Sequence, residues 1–357
     1  MFFSKAVNYF PVYLIISALS VLSLFIAFDN NFPAYGAQEK SLFFGHQFDI
    51  SKNNGTSELS QIAVDGNHVY VVWQDNTPGN YDIFFTHSSD NGNSFTPVRN
   101  LSNNNGTSEL PQIAVDGNHV YVVWQDNTPG NYDILFRRSA NNGEGFKSVN
   151  LKNTNGTSQF PQIATLSNQV YVVWQDNTPG NYEIFLQRAL SNGTKYNYRD
   201  LSNNNGTSIQ PQLALSSNNM YVIWKDNDSG IPKIFFKHMQ KENTTGKIEY
   251  GSTYRLNHTG EPSQAKLITG SEHFYGVWTI YLNNRSASTL EFYPFTLLGD
   301  NPGVSIPLTR LSLNESISNP DVASRNGDTF LVWENAEVGN KDVFFKKFST
   351  DFFERND

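Results

Sequence analysis

The sequence predicts an all-β chain, on three observations. A segment of about 50 residues recurs six times. Every copy holds short runs of β-branched and aromatic residues separated by Gly, Asn, Asp and Pro turns. The last copy stops before its fourth run, and an unmatched run of that kind stands ahead of the first copy. Together these predict a six-bladed β-propeller of four-stranded blades, the last blade closed by the N-terminal strand.

The repeat is plainest in its second copy. Residues 105–134 copy the stretch beginning at Asn54 almost letter for letter, recur with small changes from Asn155 and Asn205, and persist in eroded form from Asn257 and Asn314. All six tryptophans mark the register: Trp73, Trp124, Trp174, Trp224, Trp278 and Trp333, spaced by 51, 50, 50, 54 and 55 residues.

Within a copy the elements follow in order. Residues 112–115 form a short first strand, ended by Asp116-Gly117-Asn118, where Gly and Asn tolerate the positive φ of a hairpin turn. Residues 119–124 are the second strand, with Val120, Val122 and Trp124 on one face. Tyr70, Tyr121, Tyr171 and Tyr221 alternate with those valines and are expected to pack between blades. A loop over 126–131 breaks the chain, residues 132–139 are the third strand, and 146–151 a weaker fourth. No helical period appears beyond the N-terminal segment.

Closure can be read from the ends. In the last copy strands fall at 320–324, 329–333 and 341–349, leaving no room for a fourth before Asp357. Residues 44–51 align with 95–102, the fourth strand of the first copy, at the same 51-residue offset. That strand would complete the ring and remove an unpaired edge. An open solenoid would need capping repeats at both ends, and none is visible.

Composition narrows the rest. The 357 residues carry a formal charge of −8, 38% hydrophobic and 14% aromatic residues, and no cysteine. That supports a packed core and excludes a multi-span membrane protein, disulfides and thiolate metal sites. Charged residues are only 16% and the basic ones are scattered, so nucleic acid is not an expected partner. Near the N-terminus, Lys5 precedes an apolar run over 12–28 and then Ala34-Tyr35-Gly36-Ala37, which suits signal peptidase. Residues 1–37 therefore read as a signal peptide, or alternatively an uncleaved signal anchor, and 38–357 as the propeller. On either reading the propeller is secreted or at the cell surface. It meets the membrane only through residues 12–28 and is expected to be a monomer.

The turn after the third strand reads Ser88-Ser89-Asp90-Asn91-Gly92-Asn93-Ser94-Phe95. The second copy, Ser139 to Phe146, has Asn141 for the aspartate, and the third keeps only Gly193 and Tyr196. This turn resembles the Asp-box, S-x-D-x-G-x-T-W/F, of sialidase-like (BNR-repeat) propellers, and repeat length and strand pattern agree with that resemblance over 42–350. The box is a structural device. Asp90 would cap backbone N–H groups, Gly92 supply the unusual φ, and Phe95 anchor the turn, with Ser88 opening it. The resemblance implies the fold and places the box on the face away from the family's active site.

Catalytic sialidases need an arginine cluster, a Tyr–Glu nucleophile pair and an acid/base. Here Arg137, Arg138 and Arg188 fall on third strands, and Arg99, Arg199, Arg255 and Arg310 on fourth strands. Arg325 is in a turn on the opposite face and Arg355 in the tail, so only Arg285 lies in a central-face loop. The family's Arg-Ile-Pro motif is missing. The sialidase reaction is not expected, although Glu58, Glu109, Glu261 and Asp321 can approach the central face and keep glycoside hydrolysis open as the alternative.

Three sets of candidate residues follow from the repeat. First strands open with Gln61, Gln112, Gln162, Gln212, Gln264 and Asp321, a polar ring expected near the channel mouth, with Arg285 beside it. As ligand-binding residues they would hydrogen-bond a glycan or peptide; the structural alternative is bonding between blades. A second ring, Asp75, Asp126, Asp176 and Asp226, follows the tryptophans and becomes Ile280 and Asn335 in the last two copies. With Asp82, Asp133 and Glu183 across the loop it could hold calcium. The Asp-Asn-Thr-Pro-Gly-Asn loop lacks a D-x-D-x-D-G pattern and reads better as a capped turn, so no cofactor is expected. Asn54, Asn105, Asn155, Asn205, Asn257 and Asn314 each start an Asn-x-Ser/Thr sequon, as do Asn100, Asn192, Asn227, Asn243 and Asn284. They are glycosylation candidates in an exported protein, although Asn-Gly-Thr is also a good turn. Histidines show no ligand spacing. The fifth copy departs most, in Trp278 to Tyr281 and the loop over 283–286. The reading is an exported, non-catalytic propeller that binds a glycan, peptide or protein; the alternatives are a sialidase-like glycoside hydrolase and a structural coat component.

Overall fold

In the computed structural model, residues 49–349 are described apart from 129, 152–153, 193, 217, 229, 243–245, 257, 259, 264, 270–272, 283–286, 297–305, 308–315, 326–327 and 338–339. Every regular element among them is a β-strand, and the strands form six antiparallel sheets. The first holds β1 (Ser57–Asp65), β2 (His68–Asp75), β3 (Asp82–Ser88) and β4 (Arg99–Asn100), in that order. The second repeats it with β5 (Ser108–Asp116), β6 (His119–Asp126), β7 (Asp133–Ser139) and β8 (Lys147–Asn150). The third has β9 (Ser158–Leu166), β10 (Gln169–Asp176), β11 (Glu183–Leu190) and β12 (Lys195–Asp200). The fourth has β13 (Ser208–Ser216), β14 (Asn219–Asp226), β15 (Lys233–Lys241) and β16 (Ile248–Arg255).

The last two sheets vary the plan. In the fifth, β17 (Glu261–Pro262) and β18 (Lys266–Thr269) both pair with β19 (His273–Leu282), followed by β20 (Ala287–Thr296) and β21 (Ile306–Pro307). The sixth shows three strands among the described residues: β22 (Ser316–Arg325), β23 (Asp328–Glu337) and β24 (Asn340–Ser349). First strands of successive sheets adjoin, from β1 through β5, β9, β13 and β18 to β22, as inner strands of propeller blades do.

Residues 44–48, the body of the strand expected to close the last blade, lie outside the described residues, as does the N-terminal signal or anchor. Asp49, at the end of that segment, is described. Its Oδ1 accepts from the N–H groups of Ser51 (2.9 Å) and Lys52 (3.1 Å), as Asn100 Oδ1 accepts from Asn103 at the end of β4 (2.8 Å). No helix among the described residues is long and apolar enough to cross a membrane.

The core lies between sheets. Side chains alternate across a strand, and each middle strand faces a neighbouring sheet on both sides. Val120, Val122 and Trp124 of β6 pack on Tyr70, Val72, Ile83 and Phe85 of the first sheet. Tyr121 and Val123, on the other face, pack on Val170, Val172 and Trp174 of the third. Hence β6 is buried almost throughout. Arginines tie the outer ends together. Arg99 Nη1 donates to the carbonyls of Gly143 (2.9 Å) and Glu144 (2.7 Å), Arg138 to Ser191 (2.9 Å) and Arg188 to Gly246 (2.6 Å), each on the following sheet.

Trp124 is 1% exposed and Val64 58% exposed. Urea denaturation should therefore show Trp124→Ala losing about 3–5 kcal/mol of stability, and Val64→Ala less than about 0.5 kcal/mol.

Candidate functional site

The inner strands share one irregularity. The pairing of β1 with β2 slips between Glu58 and Gln61, that of β5 with β6 between Glu109 and Gln112, and β13 and β22 slip at the matching positions. At each bulge one bulky residue takes a left-handed backbone: Leu59 (φ 52°), Leu110 (53°), Phe160 (54°), Gln210 (56°) and Asn319 (50°). Non-glycine residues adopt that conformation at a cost of about 1–3 kcal/mol, so the surrounding contacts must hold it. In the fifth sheet Pro262 pairs with Ile280 and Lys266 with Val277. There the inner strand breaks into β17 and β18.

Gln61, Gln112, Gln162, Gln212 and Asp321 are the first residues back in register after the bulge, opposite Val72, Val123, Val173, Ile223 and Val332. Topology thus brings five members of the polar ring to one level of adjoining strands. Gln212 is buried and donates from Nε2 to the Pro211 carbonyl (3.1 Å); the other four are half-buried. Gln264 and Arg285 lie outside the described residues.

Sequence reasoning missed the residue after each tryptophan. Gln74 donates from Nε2 to Glu58 (2.9 Å) and accepts at Oε1 from the Leu110 N–H of the next bulge (3.0 Å). Gln125 does the same with Glu109 (3.1 Å) and Phe160 N–H (3.2 Å), and Gln175 accepts from Gln210 N–H (2.9 Å). Lys225 replaces this with an ion pair to Glu261 (2.9 Å). The signal available was the Trp-Gln-Asp triplet in three copies. Tyr132 Oη also donates to Glu109 (3.0 Å), and Tyr182 to Gln159 (3.1 Å). Burial and the Glu109 carboxylate push the Tyr132 phenol up to about 12, so it remains a donor.

Asp75, Asp126, Asp176 and Asp226 are fully buried. Oδ2 of Asp126 accepts from Ser108 Oγ (2.6 Å), Asn104 Nδ2 (2.7 Å) and Trp124 Nε1 (3.1 Å), while Oδ1 accepts from Thr128 N–H (2.9 Å). Asp226 is bound alike by Ser208, Asn204, Trp224 and Asp228 N–H. Asp75 has Ser57, Asn53 and Thr77; Asp176 has Ser158, Thr154 and Thr178. Burial raises the Asp126 carboxyl, but donors from Ser108, Thr128 and Asn104 outweigh it and leave it below the usual range. With both oxygens engaged by the chain, the ring is built to cap loops. No group of three metal-ligating side chains occurs among the described residues.

The same loops interlock. A Cβ on Gly106 would sit 2.6 Å from Thr128 N, and one on Gly156 2.5 Å from Thr178 N, so only glycine allows the approach. Asn80 donates to Gly106 O, Asn131 to Gly156 O and Asn181 to Gly206 O, each across to the next sheet. Across the loop from the aspartate ring stand Asp82, Asp133 and Glu183. Asp82 accepts from Asn100 and Ser102, and Glu183 from Asn181 and Ser202. Asp133 Oδ1 is buried without a hydrogen-bond partner among the described residues. Burial, then the charges of Asp176 and Asp126, push it up to about 6.

At the turn after β3, Ser88 Oγ donates to Asp90 (2.6 Å) and accepts from Gly92 N–H (2.8 Å). Asp90 accepts from Ser94 N–H (2.9 Å) and Oγ (2.6 Å); hydrogen bonds from Ser88 and Ser94 hold it down to about 2. Gly92 takes φ 82°, and Phe95 is half-buried. Asn141 stands in for the aspartate next door, and Phe146 reaches back to Phe85, edge to face, at 4.9 Å. Asn54, Asn105, Asn155 and Asn205 are exposed. Asn257 and Asn314 lie outside the described residues.

No family model matches the chain, and no curated protein matches it in sequence. Solved structures match it in fold. A point mutant of the NanB sialidase of Streptococcus pneumoniae aligns over 87% of this chain and 70% of its own, with 9% identity and a TM-score of 0.52. The GH93 α-L-arabinofuranosidase of Fusarium graminearum, solved with arabinobiose, aligns over 83% and 94%, with 12% identity and a TM-score of 0.50. At such identity the likeness is one of fold, and the fold is the sialidase-like β-propeller.

Asp133 gives a pH signature. Its folded value lies above its ordinary one, so folding favours the protonated form. Its contribution is complete below about pH 4 and is lost as pH rises through about 6. Asp133→Asn should raise stability above pH 6 by on the order of 2 kcal/mol and flatten the pH 4–6 slope, measured by thermal unfolding across pH.

Proposed function

We propose that this sialidase-like propeller is an exported, non-catalytic module that binds a glycan, peptide or protein at its central face, through the polar ring of Gln61, Gln112, Gln162, Gln212 and Asp321. One observation carries the reading: the glutamates near that face and the buried aspartates beside it are occupied by the chain itself. Glu58 is held by Gln74, Glu109 by Gln125 and Tyr132, Glu261 by Lys225, and each ring aspartate by three or four donors. Most glycosidases use two carboxyl groups about 5–10 Å apart and free to act as acid, base or nucleophile, and sialidases a tyrosine with a free glutamate. Arg99, Arg138 and Arg188 stand on third and fourth strands and bond to carbonyls of neighbouring blades, so none of them forms a carboxylate grip at the central face. Amide side chains at equivalent register on adjoining strands suit hydroxyl-rich or peptide ligands, because an amide both donates and accepts.

The second reading is a glycoside hydrolase. It draws support from the sialidase and arabinofuranosidase that share the fold, and from the Tyr132–Glu109 hydrogen bond. Two features weigh against it. Glu109 Oε2, the atom that would take the phenol proton, also accepts from Gln125 Nε2 (3.1 Å). The neighbouring copy, Tyr182 with Gln159, keeps the hydrogen bond without the acid.

A glycan array run beside a hydrolysis screen on the full-length protein separates the two. Binding without turnover, weakened about tenfold or more by Gln112→Ala combined with Gln162→Ala, is the expected result. Hydrolysis abolished by Glu109→Gln would replace it with the enzyme reading.

A further inference from the structure

We propose that Asn54, Asn105, Asn155 and Asn205 carry N-linked glycans, one on each of the first four blades, set in the loops that enter the inner strands. The proposal rests on the exported location adopted above, and on a division of labour within one loop.

In the second blade that loop is Asn104-Asn105-Gly106-Thr107-Ser108. Nearly every group in it has a structural task. Asn104 binds Asp126 and the Gly106 N–H, Gly106 allows close approach to Thr128, Thr107 N–H donates to Asn127, and Ser108 Oγ donates to Asp126. Two groups have none: the Asn105 amide, which is exposed, and the Thr107 hydroxyl. Neither makes a hydrogen bond among the described residues. The same holds for Asn54 with Thr56, Asn155 with Thr157, and Asn205 with Thr207.

The drift among the six copies runs opposite to what the frame alone would select. The residue before the asparagine varies from Asn104 to Thr154 to Leu256 and Leu313. The glycine after it, which the fold uses, becomes His258 and Glu315. What persists in all six is an asparagine and, two positions on, a hydroxyl: Thr56, Thr107, Thr157, Thr207, Thr259 and Ser316. The two groups without a structural task are thus the retained ones, at the spacing an N-glycosylation acceptor requires. Proline never intervenes.

Other sequons in the chain behave differently. Asn100 is half-buried, donates from Nδ2 to Asp82 (2.7 Å) and accepts from Asn103 N–H (2.8 Å). Asn227 accepts from Thr207 N–H (2.6 Å), and Asn192 from Thr194 N–H (2.9 Å). These asparagines are explained by the fold and need no modification.

The transfer takes an activated glycosyl phosphate as donor. A bond forms from Asn Nδ2 to the sugar's anomeric carbon as the bond from that carbon to the phosphate oxygen breaks. The phosphate leaves with the bonding pair and takes up the proton lost by the amide. No oxidant or reductant enters. The sugars would stand at the loops over the buried aspartates, leaving the bulge-level ring of glutamines beneath them.

Glycopeptide mass spectrometry on the full-length protein purified from its own cells tests this. Glycan mass on Asn54, Asn105, Asn155 and Asn205, with Asn100 bare, is the expected result. Thr107→Ala should clear Asn105 alone, and Thr107→Ser, which keeps the hydroxyl, should leave it occupied. Four bare asparagines, or a glycan on Asn100, would overturn the proposal. A circular-dichroism spectrum unchanged in both variants keeps occupancy separate from folding. Ligand binding by Asn105→Gln separates this proposal from the binding role, which does not require the sugar.

Discussion

The buried carboxylate two residues after each of the first four tryptophans is the interaction on which those four blades depend. Asp126 joins four parts of its blade: the indole of Trp124, the start of the inner strand at Ser108, the incoming loop at Asn104 and the outgoing loop at Thr128. Burying a charge costs several kcal/mol unless it is well paired. Hydrogen bonds to a charged group contribute about 1.5–3 kcal/mol each, so four donors offset that cost and fix the loop geometry. The fixed loop then meets its neighbour. Asn80, Asn131 and Asn181 reach the glycine carbonyls of the next blade in the same loops that the aspartates cap.

The fifth blade shows how the chain dispenses with that interaction. Ile280 replaces the aspartate, and the residue paired with it is Pro262 rather than a serine. A Cβ on Gly260 would overlap Tyr281 O and stand 2.8 Å from Ile280 Cγ2, so the loop entering this blade admits only glycine there. Replacing both members of a buried polar pair by apolar groups is far cheaper than replacing one. The Lys225–Glu261 ion pair takes over the neighbouring bridge between blades.

The same economy shapes what the protein can do. Gln74, Gln125 and Gln175 bond to the bulge of the following blade, and Arg99, Arg138 and Arg188 to carbonyls of the following blade. The sequon asparagines of the first four blades are exposed. Strain at Leu110, Phe160 and Gln210 sits beside the polar ring, held by the glutamine bridges from the preceding blade and by strand pairing.

Much of this was legible from sequence, and the reason is repetition. Period-two alternation around six tryptophans determined strands, their order and the packing of Tyr121 and Trp124 on opposite neighbours, because those follow from local geometry. Loop-capping by Asp126 was legible too, since Asp-Asn-Thr-Pro-Gly-Asn carries its own turn chemistry. The bulges were not, because a left-handed Leu110 has no signature in a chain that otherwise reads as strand. Nor were the bridges through Gln74 and Gln125, which join residues about 35 positions apart on different blades. The raised Asp133 was hidden for the same reason: its neighbour Asp176 belongs to the next blade. Sequence by itself determined the blade, since a blade is made of near neighbours; only the tertiary structure decided which polar groups the ring consumes and which it leaves to solvent, since that depends on contacts between blades.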